Sequence, residues 1–441
     1  MQTVDVIVIG AGLAGLTTAR ELGNSGHKVL VLEAQDRLGG RIYTDDRLGV
    51  HLELGGNWLH WLQPHVWAEV TRYGLEVDRG PRSEECYWLQ NGEVVKNDLA
   101  GFLAFIDPGQ RKLVARSAEI MPRPDLIEGG AEFRAADQLS LQEVFDGLDL
   151  SDEERDANEC AWVGHCNGPL DQVSYSAAIR WTAATAGEWG VMHTASSVLR
   201  ITAGNSTLVD VIAGDVKGEI RLNSPVVKIC HQRDGGEVTL ADGSISRARR
   251  IVNTLPLNIL HKLDIEPPLS PVKREASEEG TGSRGLKLWI RVKGPIKPFF
   301  AYSSQHHNLS VIRTEFVNAE DAVLVAFGAD IDRFDFENIA AVSEALKVWR
   351  DDLEVLEVAA HPWGRDPYAE ETWMIQRPGA YTRSQAELQR NEDSLYFASS
   401  DIANLWAGFF DGAIESGLRT AREVHTSLGA AYREFPRSAD Q

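Results

Sequence analysis

The sequence predicts an α/β protein: a Rossmann-like dinucleotide-binding domain joined to an α+β domain of mixed sheet and helices. Three observations carry this expectation. A strand–turn–helix–strand unit with a glycine fingerprint fills the first thirty-three residues. The hydrophobic period changes from helical to alternating near Glu219, and a strand followed by a helix returns at Leu395. At 441 residues, the chain is too long for one ordinary core, so two or three domain-sized units are expected.

Taken in order, residues 4–9 form an apolar run suited to a buried parallel strand. Residues 13–25 have helical periodicity, and 28–32 are a second apolar strand ending at Glu33. Residues 60–125 are mixed and rich in Trp, with turn signals such as "QNGE". Residues 135–215 read mainly as helices, with Ser140 and Ser151 as N-caps. From Glu219, "RDGGE" and "ADGS" punctuate a strand meander. Strand patterns recur at 286–292 and 322–328, a helix at 337–350, and a last strand at 395–399 leads into "DGAIESGLRTAREV". The dinucleotide domain is therefore expected to combine 1–75, 216–275 and 391–430. The second domain would combine 76–215 and 276–390, leaving 431–441 as a tail.

Gly10-x-Gly12-x-x-Gly15, with Leu13 and Ala14 between, lies at the first strand-to-helix turn. Gly10 permits the turn, Gly12 admits a pyrophosphate against the backbone, and Gly15 lets helix and strand pack closely. The helix N-terminus then offers unpaired N–H groups and its positive dipole end to the phosphates. Glu33, followed by Ala34, is placed to accept hydrogen bonds from a ribose diol. There is no second such fingerprint for a nicotinamide cofactor and no CxxC to carry electrons to a thiol, so an organic donor should bind directly at the cofactor.

Bulk properties exclude other classes. A net charge of −21 with no long basic stretch argues against nucleic acid or an anionic membrane as partner. No window of the sequence is apolar for long enough to span a bilayer, and the N-terminal apolar run lacks a basic flank and is broken by glycines. Four cysteines without paired spacing suit a reducing, cytoplasmic setting. The twelve histidines contain no HExxH or HxH grouping, so no metal is expected.

After Glu33 the text continues "AQDRLGGRIYT", with Gly39, Gly40 and Arg41, and then "ELGGNWLH" at 53–60. Together with "SPVVKI", "IVNTLP", "LYFASSD" and "GFFDGAIESG", these segments resemble the flavin-containing amine oxidase family over nearly the whole chain. The resemblance implies FAD as cofactor. Its contacts would fall on the fingerprint residues, Glu33, Ala34, Gly40 and Arg41, then Gly55, Gly56, Asn57, Trp58 and Val226, and finally Asp401, Gly408, Phe409 and Phe410. The position that links the flavin covalently in some members falls on Ala380, which implies non-covalent FAD.

The resemblance also implies roles for side chains. The family lysine falls on Lys287, and the two aromatic walls of the amine slot fall on Trp373 and Phe409, where many members carry Tyr at the second wall. Such walls hold an amine by apolar contact and cation–π attraction. His60, His165, Asn167 and Thr314 are the expected additional substrate contacts, although residues such as His165 and Asn167 are more often helix-cap or core groups, and a structural role suits His60 equally. Lys287 carries a local ambiguity. Alternation places it with Trp289, Arg291 and Lys293 on a face that looks solvated. If the strand runs beneath the flavin, Lys287 and Trp289 instead enter the cofactor cavity while Arg291 and Lys293 emerge beyond it.

The implied activity is oxidation of a secondary or cyclic amine of the nicotine-alkaloid type. Hydride transfer to flavin N5 would give a hydrolysable iminium ion, with O₂ reduced to H₂O₂. Alternatives are a primary-amine or polyamine oxidase, a dehydrogenase with a protein electron acceptor, and a non-catalytic flavoprotein. The expected partners are the amine and O₂, with a homodimer as a candidate assembly.

Overall fold

The computed structural model describes residues 2–127 and 129–429; the predicted tail at 431–441 lies outside them. Two large sheets organise the chain. The first has eight strands. Its centre is Gln2–Ile9, parallel to Val29–Leu32 on one side and Ile245–Asn253 on the other. Gly218–Arg221 extends the sheet beyond Val29–Leu32 in parallel, and Leu395–Phe397 runs parallel to the end of Ile245–Asn253. The meander from Val226 to Leu240 adds antiparallel strands at the other edge. Both faces of the central strand are covered, which explains its unbroken apolar run. Val6 and Val8 face one apolar cluster, Ile7 and Ile9 the opposite one.

Helix Leu13–Asn24 packs on one face, and Phe410–Ser427 lies against it. That contact is close because Gly417 has no side chain: a Cβ there would lie 2.6 Å from the Ala14 carbonyl oxygen. Helix Ser206–Gly214 packs Leu208, Val209 and Ile212 into the same cluster as Val6 and Leu16. Its sequence falls in the stretch 76–215.

The second sheet has seven strands, in the order Val355–Ala360, Leu286–Lys293, Asp321–Gly328, Val311–Val317, Phe299–Tyr302, Glu85–Gln90 and Glu93–Asn97. The "QNGE" turn signal joins the last two strands as a hairpin. One face buries Leu286, Leu288, Ile290 and Val292 against Leu324, Ala326 and the helix Ile339–Leu346. The other face buries Trp289, Val323, Val325 and Phe327 under the helices Leu99–Val114, Asp152–Cys166 and Tyr175–Ala183. This helical layer decides the Lys287 ambiguity. The face that alternation alone would leave wet is covered as far as Trp289. Only Arg291 and Lys293 emerge, paired with Asp321, Glu357 and Glu354. Ser140 and Ser151 cap their helices in capping boxes with Glu143 and Glu154. Among the described residues, no helix is long and apolar enough to cross a membrane.

Candidate active site

A cavity of about 640 Å³ runs from the glycine turn of the first sheet to the helix-covered face of the second. At its first end the lining is largely backbone: Gly10, Gly12, Leu13, Ala14, Ala34, Gly40 and Val226, with Glu33 and Arg41. Gly10 has φ +102°, and a Cβ there would lie 2.6 Å from Thr254 Oγ1. Gly15 lies behind the lining. Its hypothetical Cβ would sit 2.0 Å from the Gly10 carbonyl oxygen, so only glycine lets the helix start this close to the strand. The Glu33 carboxylate accepts from the N–H groups of Ala11 (2.7 Å) and Gln35 (2.9 Å), which holds it at the cavity edge.

Midway, Gly55, Gly56, Asn57, Trp58, Gly408, Phe409 and Phe410 line the space. A Cβ on Gly55 would lie 1.8 Å from the Arg41 carbonyl oxygen, and one on Gly56 2.3 Å from the Phe410 ring. Behind them Arg41 binds Glu371 (2.5 Å), Asp401 (2.6 Å) and Ser400 Oγ (2.9 Å). Asp401 also accepts from the Leu257 N–H. It is not in the lining, so it supports the wall through Arg41. Burial works to raise the Asp401 carboxyl, but Arg41 and hydrogen bonds hold it below its ordinary range. Burial, and then the charge of Asp401, push Glu371 well above its own, toward the neutral acid.

This lining fits a dinucleotide carrying a planar ring system. Helices Leu13–Asn24 and Phe410–Ser427 both begin at the cavity without a side-chain cap, so their first-turn N–H groups are open to an acceptor. In the middle of the lining, the buried Asn57 amide and Trp58 Nε1 have no protein hydrogen-bond partner among the described residues.

At the far end side chains take over. Lys287 is 4% exposed; its Nζ donates to the carbonyl oxygens of Glu53 and Gly55, the latter at 2.7 Å. Burial pulls its pKa down to about 7, opposed by the charges of Glu53 and Glu315. Trp289 shares the burial but not the cavity: it sits in the core and its Nε1 donates to the Glu53 carbonyl oxygen (3.0 Å). Trp373 and Phe409 both line this end. Trp373 Nε1 donates to the His165 carbonyl oxygen (3.1 Å), and Phe409 packs between Trp181 (5.4 Å) and Trp406 (5.3 Å).

Of the four additional contacts expected from the sequence, His165 lines the cavity and three do not. The Asn167 backbone is left-handed (φ +46°) and ends helix Asp152–Cys166. Its side-chain amide donates to the Gly328 carbonyl oxygen (2.8 Å). Thr314 Oγ1 accepts from the Phe299 N–H (3.1 Å) inside the sheet. His60 Nδ1 accepts from the Leu62 N–H (3.2 Å), with its ring against Trp61 (3.8 Å). Conversely, Trp181, His193, Phe300, Tyr302, Arg313 and Phe327 line the substrate end without having been expected there. They are scattered through helices and strands, and no local pattern marks them.

A glycine-walled dinucleotide groove opening into an aromatic chamber beside a buried lysine defines a dinucleotide-dependent oxidoreductase. Residues 13–425 match the flavin-containing amine oxidoreductases, and the chain belongs to that family; FAD is its cofactor. The chain is 33% identical over 431 residues to a pseudooxynicotine dehydrogenase of a Pseudomonas species, a match that spans 96% of this chain and 86% of the relative. It is 30% identical over 424 residues to (S)-6-hydroxynicotine oxidase of Paenarthrobacter nicotinovorans, covering 93% and 97%. Among solved structures, a triple mutant of putrescine oxidase superposes with a TM-score of 0.85 at 21% identity over 96% of this chain and 99% of that one. Cyclohexylamine oxidase of Brevibacterium oxydans superposes at 0.79 and 18% identity over 97% and 100%. At these identities the two structures speak for the fold.

Proposed function

We propose that this amine oxidoreductase acts on a secondary or cyclic amine of the nicotine-alkaloid type, at a non-covalently held FAD, with O₂ as electron acceptor. One observation carries the substrate class: the substrate end is walled by aromatic rings and contains no carboxylate among the described residues. Among the described residues, Glu33 is the only acid lining the whole cavity, and it lies at the nucleotide end. A polyamine needs carboxylates along its path for its remote ammonium groups; an amine with one basic nitrogen and an apolar body does not. Nicotine-type amines also appear in the names of the relatives above. None of the four cysteines lines the cavity, which supports a non-covalent cofactor.

When bound, the flavin supplies the redox chemistry, taking a hydride equivalent from the carbon beside the amine nitrogen and passing the electrons on. The chain supplies position and electrostatics. Trp373, fixed by its bond to the His165 carbonyl, and Phe409, fixed by its two tryptophan neighbours, orient the amine body and exclude water. The cations Lys287 and Arg313 in the same lining favour entry of the neutral amine, the form that can release electrons. Lys287, aimed by two carbonyl oxygens, holds a proton at Nζ whose charge stabilises negative charge developing on oxygen.

The relative named as a dehydrogenase favours a second reading of the acceptor alone, in which electrons leave to another protein. One assay tests both readings. Anaerobic mixing with cyclic N-methyl amines, primary amines and polyamines should bleach the yellow flavin fastest with the cyclic amines, and air should restore the colour promptly. No bleaching with any amine overturns the substrate class, and slow recovery in air replaces O₂ with another acceptor.

A further inference from the structure

His165 and His193 stand side by side in the wall of the substrate end. Their rings cross at 88° with centroids 5.1 Å apart, and His165 Nε2 lies 3.0 Å from His193 Nδ1. The pair is fixed on all sides. The backbone carbonyl of His165 receives Trp373 Nε1, so this histidine also anchors the aromatic wall. The ring of His165 contacts Trp162 and Trp181, the latter also packing on Phe409. The carbonyl of His193 receives the hydroxyls of Ser196 and Ser197.

The shared bond uses one nitrogen of each ring. The outer nitrogens, His165 Nδ1 and His193 Nε2, have no hydrogen-bond partner among the described residues. Whichever way the shared proton points, two neutral imidazoles in this arrangement carry one further proton between the two outer nitrogens. The pair thus presents one donor and one acceptor, and a tautomer shift exchanges them. Neutrality is secured by the surroundings. Burial and the neighbouring ring push His165 down to about 3, while burial and the charge of Arg313 push His193 down to about 4. Such weak bases are poorly suited to take a proton from an ammonium substrate, but they are well suited to donate a hydrogen bond.

Arg313 sets the sign of what is welcome there. Its Nη1 donates to the Ser197 carbonyl (2.6 Å) and its Nε pairs with Glu315 (2.5 Å), while its guanidinium lies over the rings of Trp58 (4.9 Å) and Phe300 (5.2 Å). A second ammonium group would meet this cation with no carboxylate, among the described residues, lining that end. A lone pair would meet a donor.

We propose that the His165–His193 pair is a specificity-determining station that recognises a second, neutral hydrogen-bond acceptor on the amine substrate, such as a ring nitrogen or a carbonyl oxygen. This rests on the amine-oxidising reading above and narrows it to amines that carry such a group.

Two neutral ligands test it, isopropylbenzene and 3-isopropylpyridine. They match in shape, carry no charge and lack the amine nitrogen that oxidation needs, so they report binding alone. Perturbation of the flavin absorbance of the holoenzyme, at a pH where pyridine is neutral, should show the pyridyl ligand binding about ten-fold tighter. In His165→Phe and in His193→Phe the two ligands should bind within about two-fold of each other, through loss of pyridyl affinity alone. Equal binding by the parent overturns the proposal without recourse to any variant, and so does a ten-fold preference that survives in either variant. Nicotine, added separately without oxygen, keeps the two readings apart. If the ligands are discriminated but no amine bleaches the flavin, the station stands and the oxidation reading falls.

Discussion

The two ends of the cavity are made of different material. At the nucleotide end the lining is backbone, brought close by glycines at 10, 12, 15, 39, 40, 55 and 56, and its one acid is pinned by two amide N–H groups. At the substrate end it is side chains, Trp181, Lys287, Arg313, Trp373 and Phe409 among them, each delivered by a separate strand, helix or loop. The first end has a shape common to many proteins, and at Gly10, Gly15, Gly39, Gly55 and Gly56 a methyl group would clash. The second, on the function proposed above, selects one chemical class, and there the identity of each ring or charge matters.

The largest expected effect tests the seam between the ends. Arg41→Ala leaves Glu371 and Asp401 buried without their cation, and unfolding free energy should fall by about 3–5 kcal/mol, read by denaturant titration. A loss below about 1 kcal/mol would mean that the two acids reorganise freely. Next comes Trp373→Ala, which should keep flavin content at the parental level while slowing anaerobic reduction by amine about 100-fold, since the amine loses its orienting wall. If flavin is lost as well, the two ends are not separable.

A third prediction concerns pH. Lys287 releases its proton near 7 when folded but at about 10.4 when unfolded. The unfolded chain therefore binds more protons between those values, so this group makes stability rise with pH across that window. Comparing stability–pH profiles of the parent and Lys287→Met should show a shallower rise in the variant; identical slopes would place the lysine's pKa at its ordinary value. The smallest effect is expected from Phe409→Tyr. The ring and its packing between Trp181 and Trp406 persist, so kcat/KM should change by about three-fold or less.

The same contrast governs what could be read from the sequence. The nucleotide end is legible because steric demands on backbone write themselves into contiguous text: Gly10, Gly12 and Gly15 at a strand-to-helix turn spell out a phosphate-binding bend and little else. The substrate end is legible only where a longer motif carries a residue, as for Lys287, Trp373 and Phe409. Alternation alone put Lys287 on a wet face, since a strand cannot announce that helices will cover it. Thr314 was implied by the resemblance alone. Its strand pairs regularly from Val311 to Thr314, so plain alternation turns Val311 and Arg313 to the cavity and Ile312 and Thr314 away from it. Asn167 did carry a usable signal, because an Asn just after a helical run is a common C-cap. His193 carried none: its partnership with His165 spans 28 residues and exists only once two helices have packed.

The central claim is that chemistry lives at the substrate end while the nucleotide end only holds the cofactor. Its most direct test is Lys287→Met followed through both half-reactions in one stopped-flow series. The account predicts parental flavin content, anaerobic reduction by a cyclic N-methyl amine within about three-fold of the parent, and reoxidation by air slowed about ten-fold or more. Reoxidation at the parental rate would contradict it.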